Sequence, residues 1–356
     1  MICRRFGSGP LLTRNNIPDM PPEIIDATSV FNPGAMMLDG VLYLLLRVQT
    51  RGRHTYLVPA RGTLGEVGEI NTISTAGMDG PVCEDGAEFT VAQRPTELMG
   101  RGILAAADLK IHHVYDPRIT VIGEEVLVVT ALDTDKGCRL GIWRATGDPD
   151  KGFAGLDSLM MVGLTGDQDT RNGVLFPEKI GGQYLMLHRP NRPQAEGGPK
   201  TGCDIVLSQS DNLVNWDQER PVMSGRPHFW DELIGSGPPP LKTEQGWLHL
   251  YHGIATHFQS VNIYQAGAVL LDLEDPSLVL GRTRDNLLEP REIWEQTGQV
   301  PNVVFPSGWV PSKMDAKGFA PSDSLISIFY GAADTTIGRA DTTVAELIAA
   351  CEPTDD

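Results

Sequence analysis

The chain has 356 residues, 41% hydrophobic and 21% charged, with 39 glycines and 26 prolines. That mixture excludes a disordered chain, which lacks apolar material for a core, and its many turn formers lean towards β-structure. A formal net charge of -17 argues against nucleic-acid and acidic-membrane partners, since no local run of Lys and Arg offsets it.

In chain order, residues 1–30 come first, beginning MICRRFGSGPLLTRNNIPDMPP. They hold two close arginines and no apolar run long enough for a signal-peptide core, so they read as an N-terminal extension. The five cysteines (Cys3, Cys83, Cys138, Cys203, Cys351) are scattered, odd in number and free of any C-x-x-C pair. That spacing argues against a complete disulfide framework and fits a reducing cytoplasm. No segment approaches a membrane span, and the expected location is cytoplasmic.

From residue 31 onward, short runs of Val, Ile, Leu and Tyr bounded by Gly, Asp, Asn and Pro predict strands and tight turns. A two-strand unit with a Gly-containing turn recurs at intervals of roughly 40 to 65 residues. Its copies are MLDGVLYLLLRV (37–48), ITVIGEEVLVVTAL (119–132), LFPEKIGGQYLMLHRP (175–190), LKTEQGWLHLYHGI (241–254) and the pair SGWV with LISIFYGAAD (307–334). Further strands follow, such as TYLVPA after the first unit and YQAGAVLLDL after the fourth. Helical periodicity is confined to the tail, TVAELIAAC (343–351), and a weaker stretch at 290–297. The expected fold is all-β, a five-bladed β-propeller over 31–345 with a short C-terminal helix and a tail at 346–356. A pair of β-sandwiches is the competing architecture.

In a propeller the innermost strands converge, so polar residues at strand ends can meet in one funnel. Segments of that kind are FNPGA (31–35), LLLRV (44–48), YDPRIT (115–120), RNGVLFPEK (171–179), LHRP (187–190), IGSGPPPLKT (234–243), YHG (251–253), NVVFPSG (302–308) and YGAADT (330–335). Each also has a bland reading: Asp116 as a turn former paired with Arg118, His188 and His252 as core histidines, Arg47 as a strand-end residue. His112, His113 and Asp116 lack a second cluster to complete a zinc site, and no metal is expected. IGSGPPPLKT lacks P-loop spacing, DQDTRNG lacks the closing Glu of a calcium loop, and no G-x-S-x-G elbow occurs.

Taken together and in order, YDPRIT, RNGVLFPEKIGGQYLMLHRP, IGSGPPPLKTEQGWLHLYHGI, YQAGAVLLDLEDPS and NVVFPSGWV through FYGAADTTIGRA resemble the mannoside-phosphorylase family, glycoside hydrolase family 130. The resemblance runs from about Asn32 to Ala340. It implies a central-funnel site that cleaves a terminal β-mannosidic bond with inorganic phosphate as co-substrate, gives α-mannose 1-phosphate, and uses no other cofactor. By the family pattern Asp116 is the catalytic acid beside the sugar-contacting Tyr115. Asn32, Phe305 and Asp334 fall on positions that shape the mannose subsite. Arg47, Arg171, Asn172, Arg189, His252 and Tyr264 fall on or near the phosphate site. The implied substrates are small β-mannosides or mannooligosaccharides.

Physical chemistry agrees with one acid and a cationic cradle, because phosphate is already a nucleophile and planar guanidinium groups bind its oxygens in pairs. One departure stands out: phosphorolytic relatives usually carry a lysine just before the IGxG segment, where this chain has Leu233 preceded by Glu232. Three arginines and His252 then remain as the basic set. An inverting hydrolase with Glu232 as general base is the alternative, and a non-catalytic sugar-binding propeller is a third. Assembly into a homo-oligomer through the terminal helix or the N-terminal extension stays open.

Overall fold

In this computed structural model, residues 2–62, 89–100, 102–103, 107–166, 169–191, 202–256 and 261–353 are described. The recurring two-strand units become the inner halves of five sheets arranged as a β-propeller. Each sheet starts at the axis: Ala27–Leu38, Ile111–Ile122, Thr170–Leu175, Leu233–Ser236 and Val304–Pro311 are the innermost strands of blades one to five. Each pairs antiparallel with a second strand: Val41–Thr50, Glu125–Thr134, Tyr184–Pro190, Gly246–Ala255 or Leu325–Ala332. These second strands are nearly continuous apolar runs because both sheet faces are covered by neighbouring blades.

The apolar side chains separate into five cores, one in each gap between adjacent blades. Leu45, Ile119, Val128 and Trp143 fill the gap between blades one and two. Val129, Leu140, Leu175 and Met186 fill the next. The remaining cores centre on Phe176 with Trp247, on Leu250 with Ile328, and on Leu44 with Phe329. Near the axis the strands come so close that a side chain is excluded. A Cβ on Gly34 would stand 2.8 Å from Ile119 of blade two, and one on Gly308 would stand 2.6 Å from Ala35 of blade one.

A closed ring must tie its last blade to its first, since an open edge invites pairing with other chains. Residues expected as an N-terminal extension take that role here. Arg4–Arg5 pairs antiparallel with Thr336–Thr343 as the outer strand of blade five. Leu11, Leu12, Ile17, Met20 and Ile24 sit in the core between blades five and one. The C-terminal helix covers Val344–Ala350; Thr343 caps it, and Val344 and Leu347 are buried. Cys351–Glu352 then pairs with Arg282 and Thr283, adding an edge to blade four. The weaker helical stretch is one turn, Ile293–Gln296. Among the described residues no helix is long and apolar enough to cross a membrane.

Candidate active site

The five innermost strands surround a cavity of about 220 Å³, lined by Asn32, Arg47, Tyr115, Asp116, Arg171, Asn172, Arg189, His252, Tyr264, Phe305 and Asp334, together with Val300 and Val303. Every site residue named from the sequence except Glu232 therefore faces one space. Spacing along the chain cannot bring these residues together; the ring does so, and a local device aims them. In four of the innermost strands the register slips next to the cavity: between Phe31 and Gly34, Tyr115 and Arg118, Arg171 and Val174, and Pro306 and Gly308. Such bulges bend the strand and redirect a side chain. Asn32, Asp116 and Asn172 occupy them. Asp116 and Asn172 both sit at φ 54°, the left-handed region that Asp and Asn tolerate best among residues with a side chain.

Asp116 has a built environment. Arg47 Nη1 donates to its Oδ1 at 3.0 Å, and the Arg47 guanidinium lies 4.2 Å from the Phe31 ring centre and 4.9 Å from that of Tyr115. Arg118 does not pair with the carboxylate. It is fully buried and donates instead to main-chain carbonyls, Nη1 to Asp116 at 2.9 Å and Nε to Gly237 at 2.7 Å. Burial lowers its pKa to about 10, so it stays cationic at neutral pH and pins the bulge that presents Asp116. Burial pushes the carboxyl of Asp334 up to about 6, with Arg47 opposing and Asp116 adding to the shift. Burial likewise raises the hydroxyls of Tyr115 and Tyr264 above the usual tyrosine value, so both are neutral hydrogen-bonding groups.

Arg171 and Arg189 face each other across the blade-three ladder as direct cross-strand partners. Neither side chain makes a hydrogen bond or ion pair with another described residue, and each keeps a buried Nε without a partner. The Arg189 pKa is lowered, first by burial and then by Arg171. Two guanidinium groups side by side with no carboxylate between them are unfavourable unless an anion joins them. His252 is packed between Phe305, at 4.4 Å between ring centres, and Tyr264, at 6.1 Å. Burial, then Arg189, holds its pKa well below 6.5. Counted with the cations from sequence, it is neutral here and serves as a hydrogen-bonding wall. Gly235 makes room for it: a Cβ there would stand 2.4 Å from the His252 ring and 2.6 Å from Asn172 Oδ1.

Glu232 is not among the residues that line the cavity, and its carboxylate accepts a hydrogen bond from Thr256 Oγ1. His188 is a core residue, its ring nitrogens 2.8 Å from Thr170 Oγ1 and 2.8 Å from Ser208 Oγ. Val300 was not foreseen at the site, and Val303 was named only as part of the NVVFPSG segment; an apolar residue carries no chemical signal. Val303 is fixed there by its bridge to Tyr264 and by donating to the Glu295 carbonyl at 3.2 Å. Cys83 lies outside the described residues.

The family model described as beta-1,4-mannooligosaccharide phosphorylase, of glycoside hydrolase family 130, matches residues 82–353. The chain belongs to glycoside hydrolase family 130. A 1,2-beta-oligomannan phosphorylase from a Thermoanaerobacter species is 31% identical over 316 residues, covering 88% of this chain and 90% of the relative. A beta-1,2-mannobiose phosphorylase of the same genus is 33% identical over 261 residues, covering 73% and 74%. The structure of a beta-1,2-mannobiose phosphorylase from Listeria innocua, in complex with beta-1,2-mannobiose, superposes with a TM-score of 0.73 at 24% identity, covering 98% of this chain and 99% of that one. That likeness establishes the shared propeller fold.

Proposed function

We propose that the protein is an inverting β-mannoside phosphorylase that transfers a terminal mannosyl unit to inorganic phosphate. One observation carries the reading: Arg171 and Arg189 lie side by side at the cavity, carry no carboxylate partner among the described residues, and share the cavity with Asp116. Guanidinium groups left unpaired in a buried site suit a dianion with several acceptor oxygens. In the reaction a phosphate oxygen attacks the anomeric carbon, the glycosidic bond breaks, and the departing oxygen takes the proton that Asp116 supplies. The products are α-mannose 1-phosphate and the shortened saccharide. Arg47 holds the Asp116 carboxylate, Arg118 its main chain, while Asn32, Tyr115, Phe305 and Asp334 surround the sugar. Hydrolysis requires a base for water; Glu232, the candidate named from sequence, is engaged outside the cavity. The names of these relatives, both phosphorylases, support phosphorolysis as well.

Incubating the protein with β-mannobioses of each linkage, with and without inorganic phosphate, tests the proposal. Mannose 1-phosphate that appears only with phosphate is the expected result. Free mannose released at the same rate in the absence of phosphate overturns it.

A further inference from the structure

The strand Arg4–Arg5 closes the ring, and its two arginines point to opposite sides, as neighbours on a strand do. Arg4 meets Glu346 at the surface with its own side chain 61% exposed, whereas Arg5 turns inward to Glu295, whose side chain has no exposed surface. Arg5 grips that carboxylate at two points, Nε to Oε1 at 2.8 Å and Nη2 to Oε2 at 2.7 Å, and Nη2 also donates to the Glu289 carbonyl at 2.6 Å. Tyr330 Oη donates to Oε1 at 2.8 Å, and the main-chain N–H groups of Arg291 and Glu292 donate to Oε2 at 2.8 and 3.0 Å. A buried carboxylate held from so many sides is fixed, and so is the helical turn Ile293–Gln296 that carries it.

That turn anchors a wall of the catalytic cavity. The Glu295 carbonyl accepts from Val303 N at 3.2 Å. The loop between them is bonded to the hairpin turn of blade five: Val300 N donates to the Ala333 carbonyl at 3.2 Å, and Ala333 N donates to the Val303 carbonyl at 3.0 Å. Ala333 and Asp334 sit at φ 46° and 49°, consecutive left-handed residues, a conformation costly for alanine and kept where neighbours enforce it. Asp334 lies outside the strand ladder, whose last pair is Ala332 with Thr336, so the loop rather than the sheet aims its carboxylate at the cavity. Tyr264 also meets the loop, its N–H donating to the Asn302 carbonyl at 3.0 Å, but the ladder, where it pairs with Ile254, holds it independently.

Resting on the reading of Asp334 as a sugar-facing residue of a phosphorylase, we propose that Arg5 and Glu295 are positioning residues. Through Val303 and Val300 they hold Asp334 at the mannose, so the N-terminal strand sets saccharide affinity although it does not line the cavity.

The test measures KM separately for phosphate and for the β-mannobiose that the unaltered protein cleaves best, in Arg5→Gln, Arg5→Lys, Tyr330→Phe and, as the control, Arg4→Ala. Arg5→Gln should raise the KM for saccharide about tenfold, the scale of one displaced charged hydrogen bond, and leave the KM for phosphate unchanged. Arg5→Lys, which keeps the charge, should recover part of the loss. Tyr330→Phe removes one donor to Glu295 and keeps the ion pair; it should give a smaller rise, and it serves should Arg5→Gln fail to fold. Arg4→Ala should change neither KM. Both KM values unchanged in Arg5→Gln, equal rises in both, or no rise in Tyr330→Phe where Arg5→Gln does not fold, would leave the pair a structural staple and overturn the proposal. Calorimetric titration of β-mannobioses into the Asp116→Asn protein, with and without Arg5→Gln, reads the same affinity in the absence of turnover. Binding weakened there by Arg5→Gln, when the unaltered protein forms no mannose 1-phosphate, rejects phosphorolysis and keeps the positioning role, whereas mannose 1-phosphate with unweakened binding does the reverse.

Discussion

Two aspartates, Asp231 in blade four and Asp116 at the axis, stand among arginines in opposite proportion. The buried Asp231 carboxylate accepts from Arg226 Nε at 2.9 Å and Nη2 at 2.7 Å, from Arg282 Nη2 at 2.6 Å and from Tyr251 Oη at 2.9 Å. Arg282 Nε donates to Tyr251 Oη at 3.0 Å, and further guanidinium hydrogen bonds reach main-chain carbonyls of Ser224, Thr283 and Arg284. The Asp231 carboxylate, with no exposed surface, is thus satisfied within the protein. At the axis Asp116 takes one arginine, while Arg171 and Arg189 keep unpartnered buried donors. Burying an unpaired cation is costly and persists where a ligand completes it. The same residue types therefore build a staple in one place and a binding site in the other, and the count of partners separates them.

Substitutions at the two clusters should diverge. The largest expected effect is Asp116→Asn, which removes the proposed acid: kcat/KM for phosphorolysis falls about 10³-fold while the melting temperature and saccharide binding persist. Asp231→Asn should do the opposite, costing roughly 3–5 kcal/mol of stability by leaving buried guanidinium groups uncompensated, read by denaturant unfolding. Next, Arg189→Ala should raise the KM for phosphate about 10- to 100-fold through the lost charge-assisted hydrogen bonds. Its melting temperature should stay level or rise, because a like-charge neighbour of Arg171 is gone. A lowered melting temperature with an unchanged phosphate KM would make Arg189 a staple like those around Asp231.

Asp334 gives a smaller, pH-dependent signature. Its carboxyl is raised from 3.8 to about 6 in the folded state, so it favours folding below pH 4 and that contribution fades as pH rises through 6. Asp334→Asn should therefore be more stable relative to the unaltered protein at pH 7 than at pH 4, by up to about 2 kcal/mol. Thermal melts at both values decide it; a difference independent of pH contradicts the shift. Smallest of all is Glu232→Gln. With the carboxylate outside the cavity, stability should move by less than about 0.5 kcal/mol and phosphorolysis should be unchanged. A collapse of turnover there would restore the base assigned to it in the hydrolase alternative.

The site was legible to the extent that its residues carry chemical signals at strand ends. YDPR, RNG, HRP, YHG and FPSG each place a polar or aromatic group beside Pro or Gly, and the ring unites them. Glu232 was misplaced because nearness to a departure in sequence says nothing about which way a side chain points. The bland alternative for Asp116, a carboxylate pair with the adjacent Arg118, does not form, because the bulge turns that guanidinium to carbonyl oxygens. The neutrality of His252 depends on burial and on Arg189 from another blade, neither visible in YHG.

By itself the sequence determined the strands and their five-fold recurrence, since periodicity and turn residues are local properties written in the order of the chain, while the set of side chains that meets at the cavity was named through the family resemblance. Only the tertiary structure decided how the ring closes, with Arg4–Arg5 completing blade five. It alone decided where each innermost strand slips register and which arginines remain unpaired. Those outcomes depend on partners distant in sequence, and register, burial and charge pairing exist only once those partners meet.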